Sequence, residues 1–197
     1  TWAFVNSADT GEVEQYLLTD AGDGVAAERV RTFIVGGQTE GCVVDDAAGR
    51  VFIGEEARGI RSYAADPASG DAYAWVDTTE AGGHLAADVE GLAIVANGER
   101  SGFLVASSQG DSTFAVYDRE APHPWLGSFR IVDGATVDGV SGTDGIDATA
   151  AALPEPFAGG LLVVQDDRNR DPDAGQNFKL VRWADVVAAL GLPAAAE

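Results

Sequence analysis

One cysteine, one lysine, two histidines and no methionine stand in 197 residues, and each scarcity closes off a class of function. Cys42 alone can form no internal disulfide, and no second thiol exists with which to build a thiolate zinc cage; it reads as a small core residue. Lys179 is the sole lysine, and 12 basic residues face 32 acidic ones, for a formal charge of −20. Nucleic acid is disfavoured as a partner, because phosphate-backbone affinity comes from clustered Lys and Arg. No run approaches the roughly 20 apolar residues of a membrane-spanning helix, so no membrane partner is expected. His84 follows Gly82-Gly83 and His123 lies between Pro122 and Pro124. Neither has a Ser or Cys partner in a nucleophile elbow, and both read as loop histidines. There is no Gly-x-Gly-x-x-Gly after a strand and no phosphate loop ending in Lys-Ser/Thr.

What remains is acid, glycine and short apolar runs. A hydrophobic content of 46% is ample for the core of one globular domain spanning residues 1–197. The acid excess repels anions, so an anionic substrate would need cations between it and the protein. Acid and glycine are densest from Asp133 to Asp147, which holds Asp133, Asp138, Asp144 and Asp147 with Gly134, Gly139, Gly142 and Gly145. Glycine frees the backbone to turn carbonyls and carboxylates toward one point, and hard divalent cations take such oxygen ligands. No Lys, Arg or His lies between Ile131 and Asp167, so no countercharge is expected from sequence neighbours. The stretch reads as a cation cradle or, failing that, as a solvated acidic loop.

The apolar runs repeat. Glu40-Gly41 leads into Cys42–Val44, Val51–Ile53, Gly59–Tyr63 and Tyr73–Val76; Glu90-Gly91 leads into Leu92–Ala96, Gly102–Ala106, Thr113–Tyr117 and Ser128–Val132. A less complete third copy starts at Asp144-Gly145, with Ile146–Ala152, Gly160–Val164 and Asn177–Val181. The starting acids lie 50 and 54 residues apart, a period typical of four-stranded units set around an axis. The expected fold is therefore all-β and of the β-propeller type. Its blade-like units cover about 1–37, 38–87, 88–142 and 143–197. Before Gln38 only three strands are visible, near Trp2–Val5, Val13–Leu18 and Val30–Val35. At the other end Trp183, Val186, Val187 and Leu190 recur at helical spacing before Gly191 and Pro193, which predicts a short terminal helix.

Four units with an incomplete first one would leave an open edge, so the chain is expected to be part of a larger ring. The alternative is that the chain closes by dimerising or by an unusual strand exchange. It opens without Met in a strand-like run, consistent with a soluble, mature protein from which something upstream is removed or left out.

Equivalent starting residues of propeller blades gather near the central channel, which brings Glu40, Glu90 and Asp144 together with Asp88, two residues before Glu90. The ends of the second strands add Glu55 and Glu56, Ser108 and Gln109, and Gln165 with Asp166 and Asp167. Converging acids of this kind call for cations. The other reading is that they cap turns by accepting from backbone N–H groups.

The segments Gln38-Thr39-Glu40-Gly41, Asp88-Val89-Glu90-Gly91-Leu92, Ala106-Ser107-Ser108-Gln109-Gly110, Val116-Tyr117-Asp118-Arg119, Thr143-Asp144-Gly145-Ile146-Asp147 and Gln176-Asn177-Phe178-Lys179-Leu180-Val181, in this order, resemble the β-propeller phytases over nearly the whole chain. That family has six blades, and this chain resembles its last four. The resemblance implies a calcium-dependent phosphatase acting on phytate, myo-inositol hexakisphosphate, with several calcium ions and a secreted or periplasmic location. Glu40, Glu56, Asp88 and Glu90 resemble the acids around catalytic calcium, and Gln109 matches a channel residue beside the substrate. Asp138, Gly139 through its carbonyl, Asp144 and Asp166 resemble ligands of calcium ions that stabilise the propeller. Two departures stand out: Arg168 replaces an acid the family often has, and Asp9 lies in a turn where the family has a phosphate-binding lysine. A calcium-stabilised binding propeller without turnover, or a phosphodiesterase or other esterase on the same scaffold, are the competing expectations.

Overall fold

The structure is a computed structural model that describes residues 1–170 and 173–193. Fourteen strands form four antiparallel sheets in sequence order. The first holds β1 (Trp2–Asn6), β2 (Glu12–Asp20) and β3 (Val25–Ile34). The second holds β4 (Thr39–Asp45), β5 (Arg50–Glu55), β6 (Gly59–Ala64) and β7 (Tyr73–Thr78), and the third β8 (Val89–Ala96), β9 (Gly102–Ser108), β10 (Thr113–Asp118) and β11 (Trp125–Phe129). The last holds β12 (Ile146–Thr149), β13 (Leu161–Asp166) and β14 (Asn177–Arg182), followed by helix α1 (Trp183–Leu190). Every sheet is a simple meander, and β4, β8 and β12 run side by side as the inner strands. This is the blade arrangement of a propeller, as the 50-residue repeat predicts.

The middle strands of the second and third sheets are apolar on both faces because each of these two sheets is sandwiched between two others. On β5, Val51 and Ile53 pack with Val13, Phe33 and Tyr63 toward the first sheet, while Phe52 packs with Leu92, Leu104 and Tyr117 toward the third. On β9, Leu104 and Ala106 face the second sheet, and Phe103 and Val105 face Leu162, Val164 and α1. Alternation of side chains along a strand thus divides one continuous apolar run between two cores. Helix α1 sends Trp183 and Val186 into the last of these cores, and Gly191 ends it in a left-handed conformation.

The inner strands meet so closely that side chains are excluded. A Cβ on Gly41 would overlap the carbonyl oxygen of Glu90; one on Gly91 would lie 2.6 Å from the Asp144 oxygen and 2.7 Å from the Ile146 nitrogen. The Gly91 N–H donates to the Asp144 carbonyl at 2.7 Å. The glycines after Glu40 and Glu90 are therefore packing requirements, whereas Gly145, after Asp144, has open space where a Cβ would stand.

Strand boundaries differ from expectation at several places, three of them with a clear local cause. The outer strand of the third sheet is Trp125–Phe129 rather than Ser128–Val132, because Trp125 pairs with Tyr117 across a bulge and buried Gly127 fits against Leu190 of α1. Strand β12 stops at Thr149 rather than Ala152, where the Thr149 hydroxyl accepts from the Ala151 N–H. Strand β3 begins at Val25, since the β2–β3 hairpin continues to the Asp20–Val25 pair beyond the core.

Candidate functional site

Glu40 and Glu90 occupy equivalent irregularities of backbone. Thr39 pairs with Glu55 and Cys42 with Ile53; Val89 pairs with Ser108 and Leu92 with Ala106. In both inner strands one extra residue is thus accommodated at the Glu-Gly dipeptide. Such a bulge interrupts the ladder and re-aims a side chain, here at the start of the inner strands beside the pocket that Glu40, Glu90 and Asp144 share. Asp88, just before, sits at φ 67°, a left-handed conformation that Asp tolerates better than most residues. Its backbone is fixed by its own N–H donating to Glu56 and its carbonyl accepting from Gln109, at 3.0 and 2.9 Å.

The result is a group of carboxylates without countercharge. Glu40, Glu90 and Asp144 line a pocket of about 310 Å³ together with Gly41, Cys42, Gly91, Leu92, Gly145 and Ile146, and no Lys, Arg or His shares that lining. Glu90 is only 6% exposed. Burial, the charge of Glu40, a hydrogen bond with Glu56 and the charges of Glu56 and Asp144 push its carboxyl up to about 8. Gln109 Nε2 donates to Asp144, whose backbone N–H donates to Gln165 Oε1 at 2.8 Å. Asp88 is exposed, outside the set that acts on Glu90.

The remaining acids of the expected cradle separate into another environment. Asp138 and Asp166 are buried, and Lys179 Nζ lies 2.5 Å from Asp138 Oδ1, 2.6 Å from Asn169 Oδ1 and 3.3 Å from Asp166 Oδ2. Arg170 adds its backbone N–H to Asp138 Oδ2 at 2.7 Å and its guanidinium to Asp133. The hydrogen bond from Lys179, then that from the Arg170 N–H, hold the Asp138 carboxyl below the usual carboxylate range. Countercharge absent from the sequence neighbourhood therefore arrives from β14 and the loop after β13. The Gly139 N–H donates to Asp133 Oδ1 at 2.8 Å.

Other residues grouped at the rim by sequence take separate roles. Glu55 turns away from Glu56 into a buried ion pair with Arg61. Ser108 Oγ accepts from the Ala86 N–H at 2.8 Å. Sequence reasoning missed Asp77, which accepts from Tyr117 Oη at 2.9 Å and lies 2.9 Å from His84 Nδ1; His84 in turn stacks on Trp125. His123, read as a loop histidine, is buried edge-on against Phe52.

Could these residues hold a cation? Among the described residues no three His, Cys, Asp or Glu side chains already stand as a metal cage. The rim nevertheless fits a hard divalent ion in its donor set: Glu40, Glu56, Glu90 and Asp144 are all oxygen ligands, and without a cation their proximity is relieved by a proton on Glu90. Asp138 and Asp166 do not show that need, since an ammonium already sits between them.

The phytase family model matches residues 1–194. The chain belongs to the phytase family. It is 41% identical over 184 residues to the 3-phytase of Bacillus subtilis (strain 168), an alignment covering 92% of this chain and 48% of that relative. This phytase-family chain thus spans about half the length of the curated relative it matches. Among solved structures it is similar to the β-propeller domain of Myceliophteria thermophila Cps50 (Swd1), with a TM-score of 0.50 and 14% identity over 91% of this chain and 53% of that one. That likeness shows the β-propeller fold alone. Within the phytase-family chain, Glu40, Glu56, Glu90 and Asp144 form the unneutralised set, while Asp138 and Asp166 lie with Lys179.

Proposed function

We propose that the chain contributes to calcium-dependent hydrolysis of phosphate monoesters of phytate. The observation that carries this reading is the group of converging carboxylates at Glu40, Glu56, Glu90 and Asp144, with no base in the lining of their pocket. Family membership and the 3-phytase relative support the substrate; the donor chemistry supports the ion.

Glu40, Glu56 and Glu90 would hold calcium at the rim, with Asp144 beside them. Bound there, calcium supplies positive charge that offsets both protein and substrate, polarises a phosphoryl group and makes water a better nucleophile. The bulges hold Glu40 and Glu90 in position, and the close glycine contacts fix the spacing of the inner strands. Gln109 orients Asp144 by donating to it. Exposed Asp88 is placed on the solvent side, where it can meet an incoming ion or substrate. A secreted or periplasmic setting suits this reading, because extracellular calcium is high enough to fill weak oxygen sites.

The absence of Lys and Arg from the inner pocket lining favours one second reading, a calcium-stabilised propeller that binds without turnover. Phosphate release from phytate at neutral pH, measured with calcium and with EDTA on this chain and on a longer protein that includes it, separates the two. Calcium-dependent release is expected, and Glu90→Gln should reduce it by at least tenfold. Release that persists in EDTA would remove the metal reading, and none from either protein would favour binding alone.

A further inference from the structure

A second polar site lies next to the acidic rim and has the opposite charge. Ser112, Arg130, Ile131, Val132, Asp133, Gly139, Val140, Ser141, Arg168 and Arg170 enclose an open pocket of about 470 Å³ between the third and fourth sheets. It lies at the rim end of the sheets. The Gly142 N–H donates to Ser112 Oγ at 3.4 Å, two residues before Asp144, and the Ser112 N–H donates to the carbonyl of Gln109, the residue whose side chain reaches Asp144.

In a chain with 32 acids and 12 bases, arginines are expected to find carboxylates, and Arg29, Arg61, Arg119, Arg170 and Arg182 do. Of the others, Arg31 and Arg50 donate to neutral oxygens and Arg58 lies over Trp75, while Arg130 and Arg168, like Arg100 outside this pocket, are exposed with no hydrogen bond or ion pair to the guanidinium among the described residues. Three of the nearby acids are already neutralised, and Asp167, exposed beside Arg168, accepts from Gln176 Nε2 at 3.0 Å. Asp133, in the pocket wall, pairs with Arg170, while Asp138 and Asp166, behind it, surround Lys179. The two free guanidinium groups therefore keep their positive field in the pocket, beside the hydroxyls of Ser112 and Ser141.

We propose that this pocket is a phosphate subsite, in which Arg130 and Arg168 grip a phosphate dianion and the two serine hydroxyls donate to it. The planar guanidinium fork matches two phosphate oxygens at once, and paired arginines with hydroxyls suit a compact, doubly charged oxyanion. It is distinct from the acidic rim because it needs no cation to attract the anion. The function proposed above bears on its source, which is either phosphate released by hydrolysis or a phosphate still borne on an inositol ring.

The test is amide NMR titration of the chain in EDTA, where the acidic rim has no calcium with which to bind phosphate. Inorganic phosphate and myo-inositol monophosphate are added separately to the wild type and to Arg130→Gln Arg168→Gln, with a thermal melt of each as a control. Saturable shifts at Ser112, Gly139, Ser141 and Arg168 are expected, weakened at least tenfold in Kd in the double variant. Response to both ligands would identify a site for free phosphate, and response to the monoester alone a site for ring-borne phosphate. No saturable shift, or one unchanged in a folded double variant, would overturn the proposal. Because the readout involves neither calcium nor turnover, loss of the hydrolase reading would leave the result standing.

Discussion

Replacing Asp45 by Asn should destabilise the protein more than any single change at the rim. Asp45, at the end of β4, is 1% exposed and receives Arg119 of the third sheet in a two-pronged contact: Nε to Oδ2 and Nη2 to Oδ1, each at 2.6 Å. Arg119 Nη1 also donates to the Ser101 carbonyl at 3.1 Å, and Asp45 Oδ1 accepts from the Ala48 N–H at 3.1 Å. Burial opposes ionisation of Asp45, but the Arg119 hydrogen bonds and the Ala48 N–H overcome it and hold the carboxyl below its usual value. Removing the carboxylate charge leaves a buried guanidinium uncompensated, at a cost of about 3–5 kcal/mol. For a chain of this length, at about 2–4 °C per kcal/mol, the melting temperature should fall by roughly 6–20 °C. The assay is calorimetric melting of wild type, Asp45→Asn, Arg119→Met and the double variant. A coupling energy near zero in that cycle would refute the argument that this pair locks the second sheet to the third. The pH dependence has a fixed sign: because the folded carboxyl is more acidic than the unfolded one, its contribution is complete above the unfolded value and disappears as pH falls through the folded value.

Further outcomes follow from the same contacts. Gly91→Ala forces a Cβ to 2.6 Å from the Asp144 oxygen and should lower stability by about 1–3 kcal/mol, whereas Gly145→Ala, with nothing within 4 Å, should leave the melt unchanged; comparable losses in both would show that the inner-strand contact is not limiting. In EDTA the melting temperature should decrease as pH rises from about 4.5 to about 8, because the folded state keeps a proton on Glu90 that the unfolded state gives up; calcium should remove this slope. Burial pushes the Cys42 thiol up to about 11, so a disulfide reagent at pH 8 should leave it intact in the native protein and modify it after denaturation.

Period and turn chemistry made most of the fold readable. Glu40-Gly41, Glu90-Gly91 and Asp144-Gly145 marked the inner strands, and the spacing from Trp183 to Leu190 defined α1 within its observed bounds. The outer strand at Trp125 was misplaced because its register depends on a bulge opposite Tyr117 and on Leu190, a residue far along the chain. At the site, the repeat showed which acids share a position but not that Glu40 and Glu90 sit in bulges, since a bulge is a property of two strands. Lys179 reaches Asp138 across 41 positions and Arg119 reaches Asp45 across 74, and no local window contains such pairs. Glu55 and Glu56 look alike in sequence, but only their strand geometry separates an ion-paired carboxylate from a rim ligand.

Calcium binding by calorimetry at pH 7.5, comparing wild type with Glu90→Gln, tests the central claim most directly. The wild type should take up calcium with release of a proton, because Glu90 must ionise to serve as a ligand, and the variant should lose both the proton and at least one ion. Equal calcium uptake by the two proteins, or no uptake by the wild type, would contradict that claim.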